Sequence, residues 1–172
     1  KQFIHIHPFS KGWFKDVNIQ TTAQIIDYCE QELSVRVVIT AAPIQRELSK
    51  LDNILKLCQS KPVNLGGRLT LKQTAVLNNK SKLFVGVDTA IMHISAANNT
   101  PTLAFFGPTA PDTWGPWEND LEQANYHRQG GVQINGKHRI LSTVRVCLPC
   151  NNEGCDNSQV SDCLMGLDID II

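Results

Sequence analysis

The sequence has no G-x-G-x-x-G after its first apolar run and no G-x-x-x-x-G-K-[ST]. Dinucleotide dehydrogenases and P-loop enzymes are thereby disfavoured, since both need glycines where backbone must approach a phosphate. H-E-x-x-H and G-x-S-x-G are missing as well, so zincins and α/β-hydrolases have no support. No apolar run approaches the ~18 residues of a membrane-spanning helix. Neither sign of charge dominates: 16 Lys and Arg stand against 16 Asp and Glu. A nucleic-acid binder would show a basic excess and a solvating tail an acidic one. No succession of basic, long apolar and small residues marks a secretory signal, so reduced thiols and a cytoplasmic setting are expected. The chain enters the apolar Phe3-Ile4-His5-Ile6 almost at once, which reads as a domain belonging to something longer.

What is present fits one domain: 172 residues, 42% of them hydrophobic. Strand-like runs at 2–7, 35–40, 63–65, 82–87 and 102–106 are short, and they read as buried on both faces, as central parallel strands do. Helical stripes lie between them: Ile19, Thr22, Ile26, Cys29 and Leu33; Leu48, Leu51, Leu55 and Cys58; Leu71, Ala75 and Asn78-Asn79 behind Thr70 as an N-cap; Ile91, Ile94 and Ala97. This alternation predicts an α/β fold, a Rossmann-like parallel sheet flanked by helices. The regular core is expected over 1–110. Residues 111–172 are expected to hold a hairpin, a Cys-rich segment and, from 164, a short apolar tail. The Gly-, Pro- and Trp-rich run 107–117 reads as neither helix nor central strand. Asn135-Gly136, between two β-like runs over 132–141, reads as a hairpin turn.

Ligands of open α/β sheets bind at the carboxyl ends of the strands, and three segments there carry unusual residues. After the first strand, Ser10, Lys11 and Lys15 offer a hydroxyl and two ammonium groups, the donors and positive charge a diphosphate needs. At 86–93 a strand turns directly into a helix, whose unpaired N–H groups at Thr89, Ala90 and Ile91 suit an anion; Asp88 and His93 lie beside them. After the last regular strand, Gly107 permits close backbone approach and Thr109 adds a hydroxyl. Each segment alone is open to a plainer reading as a solvated basic loop, a helix cap or an ordinary turn. Their placement at one sheet edge is the stronger signal.

The string Gly86-Val87-Asp88-Thr89-Ala90-Ile91-Met92-His93-Ile94-Ser95-Ala96-Ala97, followed by Thr100-Pro101 and Phe105-Phe106-Gly107-Pro108-Thr109, resembles the donor-side signature of bacterial lipopolysaccharide core heptosyltransferases, glycosyltransferase family 9. Ser10-Lys11-Gly12-Trp13-Phe14-Lys15 is similar to that family's phosphate loop, with Lys11 where arginine is common. Trp114-Gly115-Pro116-Trp117 with Cys147-Leu148-Pro149-Cys150 and Gly154-Cys155 is most like the branch that adds the third heptose. The resemblance implies the C-terminal, donor-binding half of a GT-B enzyme. That enzyme would transfer heptose from ADP-L-glycero-D-manno-heptose to the lipopolysaccharide inner core with inversion.

By that resemblance Lys15 stabilises the departing diphosphate, with Ser10 and Lys11 beside it. Thr89, Ala90 and Ile91 cradle phosphates, Asp88 binds sugar hydroxyls, His93 supports the site, and Glu47 contacts ribose or adenine. The general base and the acceptor contacts fall to an N-terminal domain outside this sequence, so the fragment alone is expected to be inactive. No metal, cofactor or nucleic acid is implied. Peripheral association with the inner membrane is left open by the lipid-linked acceptor. The rival readings are a GT-B transferase for another sugar nucleotide and a non-catalytic interaction module organised by cysteines.

Cys147-x2-Cys150-x4-Cys155-x7-Cys163 has a spacing that suits a structural zinc, disulfides or free packed thiols. Cys29 and Cys58 sit in helical stripes and read as small buried hydrophobes.

Overall fold

The computed structural model describes residues 2–167. The predicted alternation is present: β1 (Phe3–His7), α1 (Ile19–Asp27), β2 (Arg36–Ile39), α2 (Gln45–Leu57), β3 (Val63–Asn64), α3 (Leu71–Lys80), β4 (Leu83–Val87), α4 (Ala90–Ala97) and β5 (Thr102–Phe105). The chain continues through a helical turn α5 (Pro111–Trp114), the hairpin β6 (Gly131–Asn135) and β7 (His138–Ser142), and a short α6 (Asp162–Met165). The seven strands form one sheet in the order β3-β2-β1-β4-β5-β7-β6. All neighbours are parallel except the β6–β7 pair.

The sheet is covered on both sides. Ile4, Ile6, Val37, Ile39, Val85 and Val87 face α1 and α2 through Ile26, Leu51 and Ile54. On the other face Phe84, Ala104 and Ile140 meet Ile91 and Met92 of α4. Strands with both faces buried need side chains that tolerate dry surroundings everywhere, which is why β1 and β4 read as near-continuous apolar runs.

Three sequence expectations are corrected. The regular sheet does not end at 110: β7 pairs in parallel with β5 and extends it to Ser142. The 107–117 run contains a helical turn after all, with Pro111 at its first position, where a missing N–H costs nothing. The first helical stripe breaks at a π-helical turn, Tyr28–Glu32. The wider turn rotates the residues beyond it, and Leu33 ends half-exposed instead of on the buried face. The hairpin turn is present, with Asn135 paired to His138 and Gly136 at φ 57°. The last five residues of the expected apolar tail lie outside the described residues.

The strand order places the site. From β1 the chain moves to one side, to β2 and β3, and then returns to the other side as β4. The loops that leave the carboxyl ends of β1 and β4 therefore diverge and leave a crevice between them.

Under that crevice β1 carries two buried histidines. His5 Nε2 and His7 Nδ1 lie 2.7 and 2.9 Å from the hydroxyl of Thr40. Burial lowers the His5 pKa to about 3, helped by the neighbouring His7, and that of His7 to about 4. Below the ordinary histidine value of 6.5 the unfolded chain takes up protons that the folded chain refuses. Their contribution to stability is thus fully present above pH 6.5 and is lost as pH falls toward 4. Two such groups give a slope of about 2.7 kcal/mol per pH unit inside that window. Urea midpoints measured from pH 4 to 8 are expected to be flat above 6.5 and to fall steeply below it.

Candidate functional site: a crevice at the sheet switch point

The loop after β1 closes on itself. Ser10 N–H donates to Asp16 Oδ1 at 3.0 Å, and Arg46 of α2 donates to Asp16 Oδ2 at 2.6 Å and to the Ser10 carbonyl. Lys50 donates to the same Asp16 oxygen at 2.7 Å. The loop between the two anchors ends in a 3₁₀ turn, Trp13–Lys15, which projects Lys15 across the crevice. There its Nζ meets Asp88 Oδ2 at 2.7 Å, immediately after β4. Asp88 is buried and Lys15 is 23% exposed, so the ammonium keeps one side open to the crevice. His93, one turn into α4, brings Nε2 to 4.0 Å from the other Asp88 oxygen. Burial lowers the His93 pKa, the Asp88 charge opposes that, and Lys15 adds to it.

Thr89 is the N-cap of α4, but its side chain makes no capping hydrogen bond. The first backbone bond of the helix runs from His93 N–H to the Thr89 carbonyl. The N–H groups ahead of His93 thus have no acceptor within the helix; Thr89, Ala90 and Ile91 border the crevice, whereas Met92 is fully buried and does not.

Two adjoining cavities share Ser10, Lys11, Thr89 and Ala90. The first, of about 640 Å³, contains Lys15, Asp88 and His93 and is walled by Trp114, Glu153 and Gln159. The second, of about 620 Å³, runs over the ends of β1 and β2 between Pro43, Leu69 and Leu71, with Glu47 and His7 among its polar members. Glu47 is 3% exposed and accepts from the Ala42 N–H at 2.7 Å. Burial raises its pKa, against the pull of that N–H and of Arg46. A third hollow, at Gln2, Ser34, Val35 and Lys61, lies at the amino ends of the strands, away from the crevice.

Nine of the eleven expected site residues thus border this pair of cavities. Gly107 and Thr109 do not. A Cβ on Gly107 would stand 2.7 Å from Leu164 and 3.1 Å from the Cys163 sulfur. The close approach that this glycine permits is taken by the C-terminal segment, not left to a ligand. Thr109 is buried, with its hydroxyl unpartnered among the described residues. Sequence reasoning missed Asp16, Arg46, His7, Trp114, Glu153 and Gln159. Trp114 lies in a run whose composition signals only irregular structure. Asp16 and Arg46 are thirty positions apart and have no local signal.

Comparison with known proteins is decisive at this point: the profile of glycosyltransferase family 9 (heptosyltransferase) matches residues 1–141. The chain belongs to that family. It is 33% identical over 124 residues, 72% of its length, to lipopolysaccharide heptosyltransferase 3 of Escherichia coli, and spans 36% of that protein. It is 29% identical to lipopolysaccharide core heptosyltransferase OpsX of Haemophilus influenzae over 77% of its length and 38% of the relative's. This family 9 chain therefore spans little more than a third of the relatives it matches. Its fold is that of solved heptosyltransferases. ADP-heptose lipopolysaccharide heptosyltransferase II of E. coli superposes with TM-score 0.65 at 22% identity, over 84% of this chain and 39% of that one. E. coli heptosyltransferase WaaC with ADP gives 0.64 at 15% identity, over 81% and 37%.

The cysteines of the family 9 chain are all free: Cys29 and Cys163 buried, Cys58 and Cys150 half-buried, Cys147 and Cys155 exposed. Among the described residues no three His, Cys, Asp or Glu side chains are grouped to hold a metal ion. Nor is any described helix long and apolar enough to cross a membrane.

Proposed function

We propose that this chain is the donor-binding domain of an inverting heptosyltransferase that uses ADP-L-glycero-D-manno-heptose and extends the lipopolysaccharide inner core, at the third heptose. One observation carries the reading. The Lys15 ammonium and the uncapped amino end of α4 border the same cavity, linked through Asp88 at 2.7 Å. Breaking a glycosyl–phosphate bond puts negative charge on the leaving diphosphate, and fixed donors aimed at that charge lower the barrier without a metal. Lys15 and the N–H groups of Ala90 and Ile91 are such donors. Ser10 and Lys11, shared by both cavities, hold the same phosphates from the opposite bank.

In this reading the nucleoside occupies the second cavity, its base against Pro43 and Leu71 and its ribose near Glu47, and the heptose enters the first. Asp88 then accepts from sugar hydroxyls, steadied by His93. The base that activates the acceptor hydroxyl, the acceptor site itself and any contact with the membrane that holds the acceptor belong to parts of the enzyme beyond this chain. The third-heptose assignment rests on likeness to heptosyltransferase 3 of E. coli, and the adenine on the ADP named for the WaaC structure.

Calorimetric titration with ADP, UDP and GDP tests the donor class. ADP is expected to bind at least about tenfold more tightly than the other two, a gap of ~1.4 kcal/mol. Equal or tighter binding of UDP or GDP would move the chain to another sugar nucleotide. The chain alone is expected to transfer nothing.

A further inference from the structure

Thr40 joins two imidazoles, and its single hydroxyl hydrogen fixes what one of them presents to the nucleoside cavity. His5 Nε2 and His7 Nδ1 both lie within hydrogen-bond distance of Thr40 Oγ1, and all three side chains are buried. Burial keeps both rings neutral at pH 7. The hydroxyl has no other partner among the described residues: its single proton cannot serve two accepting nitrogens, and two donating nitrogens would leave that proton unpaired in the interior, so one ring nitrogen donates to it and the other accepts from it. His5 Nδ1 decides the direction, because it is enclosed and has no hydrogen-bond partner. A buried N–H left unpaired is rarer and costlier than a bare lone pair. The His5 proton therefore sits on Nε2 and is donated to Thr40, and Thr40 donates to His7 Nδ1. That leaves the His7 proton on Nε2.

His7 closes β1 and lines the second cavity with Glu47, Ser10 and Ala90. Its ring is held edge-on to Phe9, with centroids 6.4 Å apart. Nε2 has no partner among the described residues, yet unlike His5 Nδ1 it is not sealed from solvent. We infer that His7 Nε2–H is a fixed hydrogen-bond donor to the bound nucleoside diphosphate, oriented by the Thr40–His5 relay. The inference rests on the second cavity being the nucleoside site. Glu47 and His7 then read the ligand as a pair: the carboxylate accepts from its hydroxyls, and the imidazole donates to an acceptor oxygen or ring nitrogen.

Two measurements test it. In ¹⁵N-labelled chain, long-range ¹H–¹⁵N spectra report the tautomer of each histidine without any substitution. Both His5 and His7 are expected to be protonated on Nε2, and a His7 protonated on Nδ1 overturns the inference. Titration with ADP then compares His7→Gln, whose amide nitrogen reaches the Nε2 position, with His7→Asn, whose amide stops at Nδ1. His7→Asn is expected to bind ADP about 5–10-fold more weakly, the worth of one hydrogen bond, and His7→Gln to stay within ~3-fold of the unsubstituted chain. Equal affinity of His7→Asn overturns the role of His7 and leaves the cavity assignment standing. Failure of the unsubstituted chain to bind ADP overturns both.

Discussion

Replacing Lys15 with alanine is expected to lower the transfer rate of the full-length enzyme about 10²–10³-fold, the usual loss when one donor to a developing oxyanion is removed. The reason lies in what the ammonium faces. Asp88 is 4% exposed and its carboxylate leans on Lys15 at 2.7 Å. Alanine removes the cation that meets the departing diphosphate and leaves a buried carboxylate beside it, unpaired and repelling it. Two effects of opposite origin therefore coincide, and a second substitution separates them. In Lys15→Ala/Asp88→Asn the repulsion is gone, so ADP affinity is expected to recover in part while the rate stays low. Lys15→Arg keeps the charge but presents a planar fork where a point charge fits, and is expected to restore only part of the rate. Steady-state kcat with ADP titration of each variant checks the scheme. A Lys15→Ala enzyme with unchanged kcat would mean that the loop after β1 is not used on the leaving group.

The second large effect is on stability. Asp16 is 2% exposed and binds Arg46, Lys50 and the Ser10 N–H at once. Asp16→Ala removes the nearest carboxylate from the Arg46 guanidinium, itself only 16% exposed, which keeps the Ser10 carbonyl and Glu47 at 3.5 Å, and it leaves the Ser10 N–H without its acceptor. Breaking a buried pair costs about 3–5 kcal/mol. The Lys50 ammonium is 37% exposed and adds little, which places the sum near the lower end. At ~2–4 °C per kcal/mol for a chain of this size, a loss of about 3 kcal/mol lowers Tm by about 6–12 °C. ADP binding is expected to weaken as well, because Asp16 and Arg46 set the position of the loop that carries Ser10 and Lys15. Scanning calorimetry with and without ADP measures both. A Tm within ~2 °C of the unsubstituted chain would show that the loop does not need this anchor.

How far the sequence could be read depended on the range of the interaction. The central strands were legible because burial on both faces writes itself into consecutive residues, as in Phe84-Val85-Gly86-Val87. Thr70 was legible because its capping box with Gln73 is local. Leu33 was misread since a π-helical turn changes the period without changing the composition. Gly107 was misread because a glycine signals close approach without saying of what, and here the neighbour is Leu164, 57 positions later. Lys15 and Asp88 were each visible as residue types suited to a phosphate site, but their contact spans 73 positions. Only the strand order, which reverses beside β1, brings them together. The Asp16–Arg46 anchor and the His5–Thr40–His7 relay are contacts between elements of this kind throughout, and no pattern along the chain announces them.

The crystal structure of the ADP complex tests the central claim most directly. Lys15 Nζ is expected within hydrogen-bond distance of a β-phosphate oxygen, with the N–H groups of Ala90 and Ile91 pointing at the same diphosphate and Glu47 at the ribose. A diphosphate bound away from the amino end of α4, with the Lys15 ammonium still turned wholly to Asp88, would contradict it.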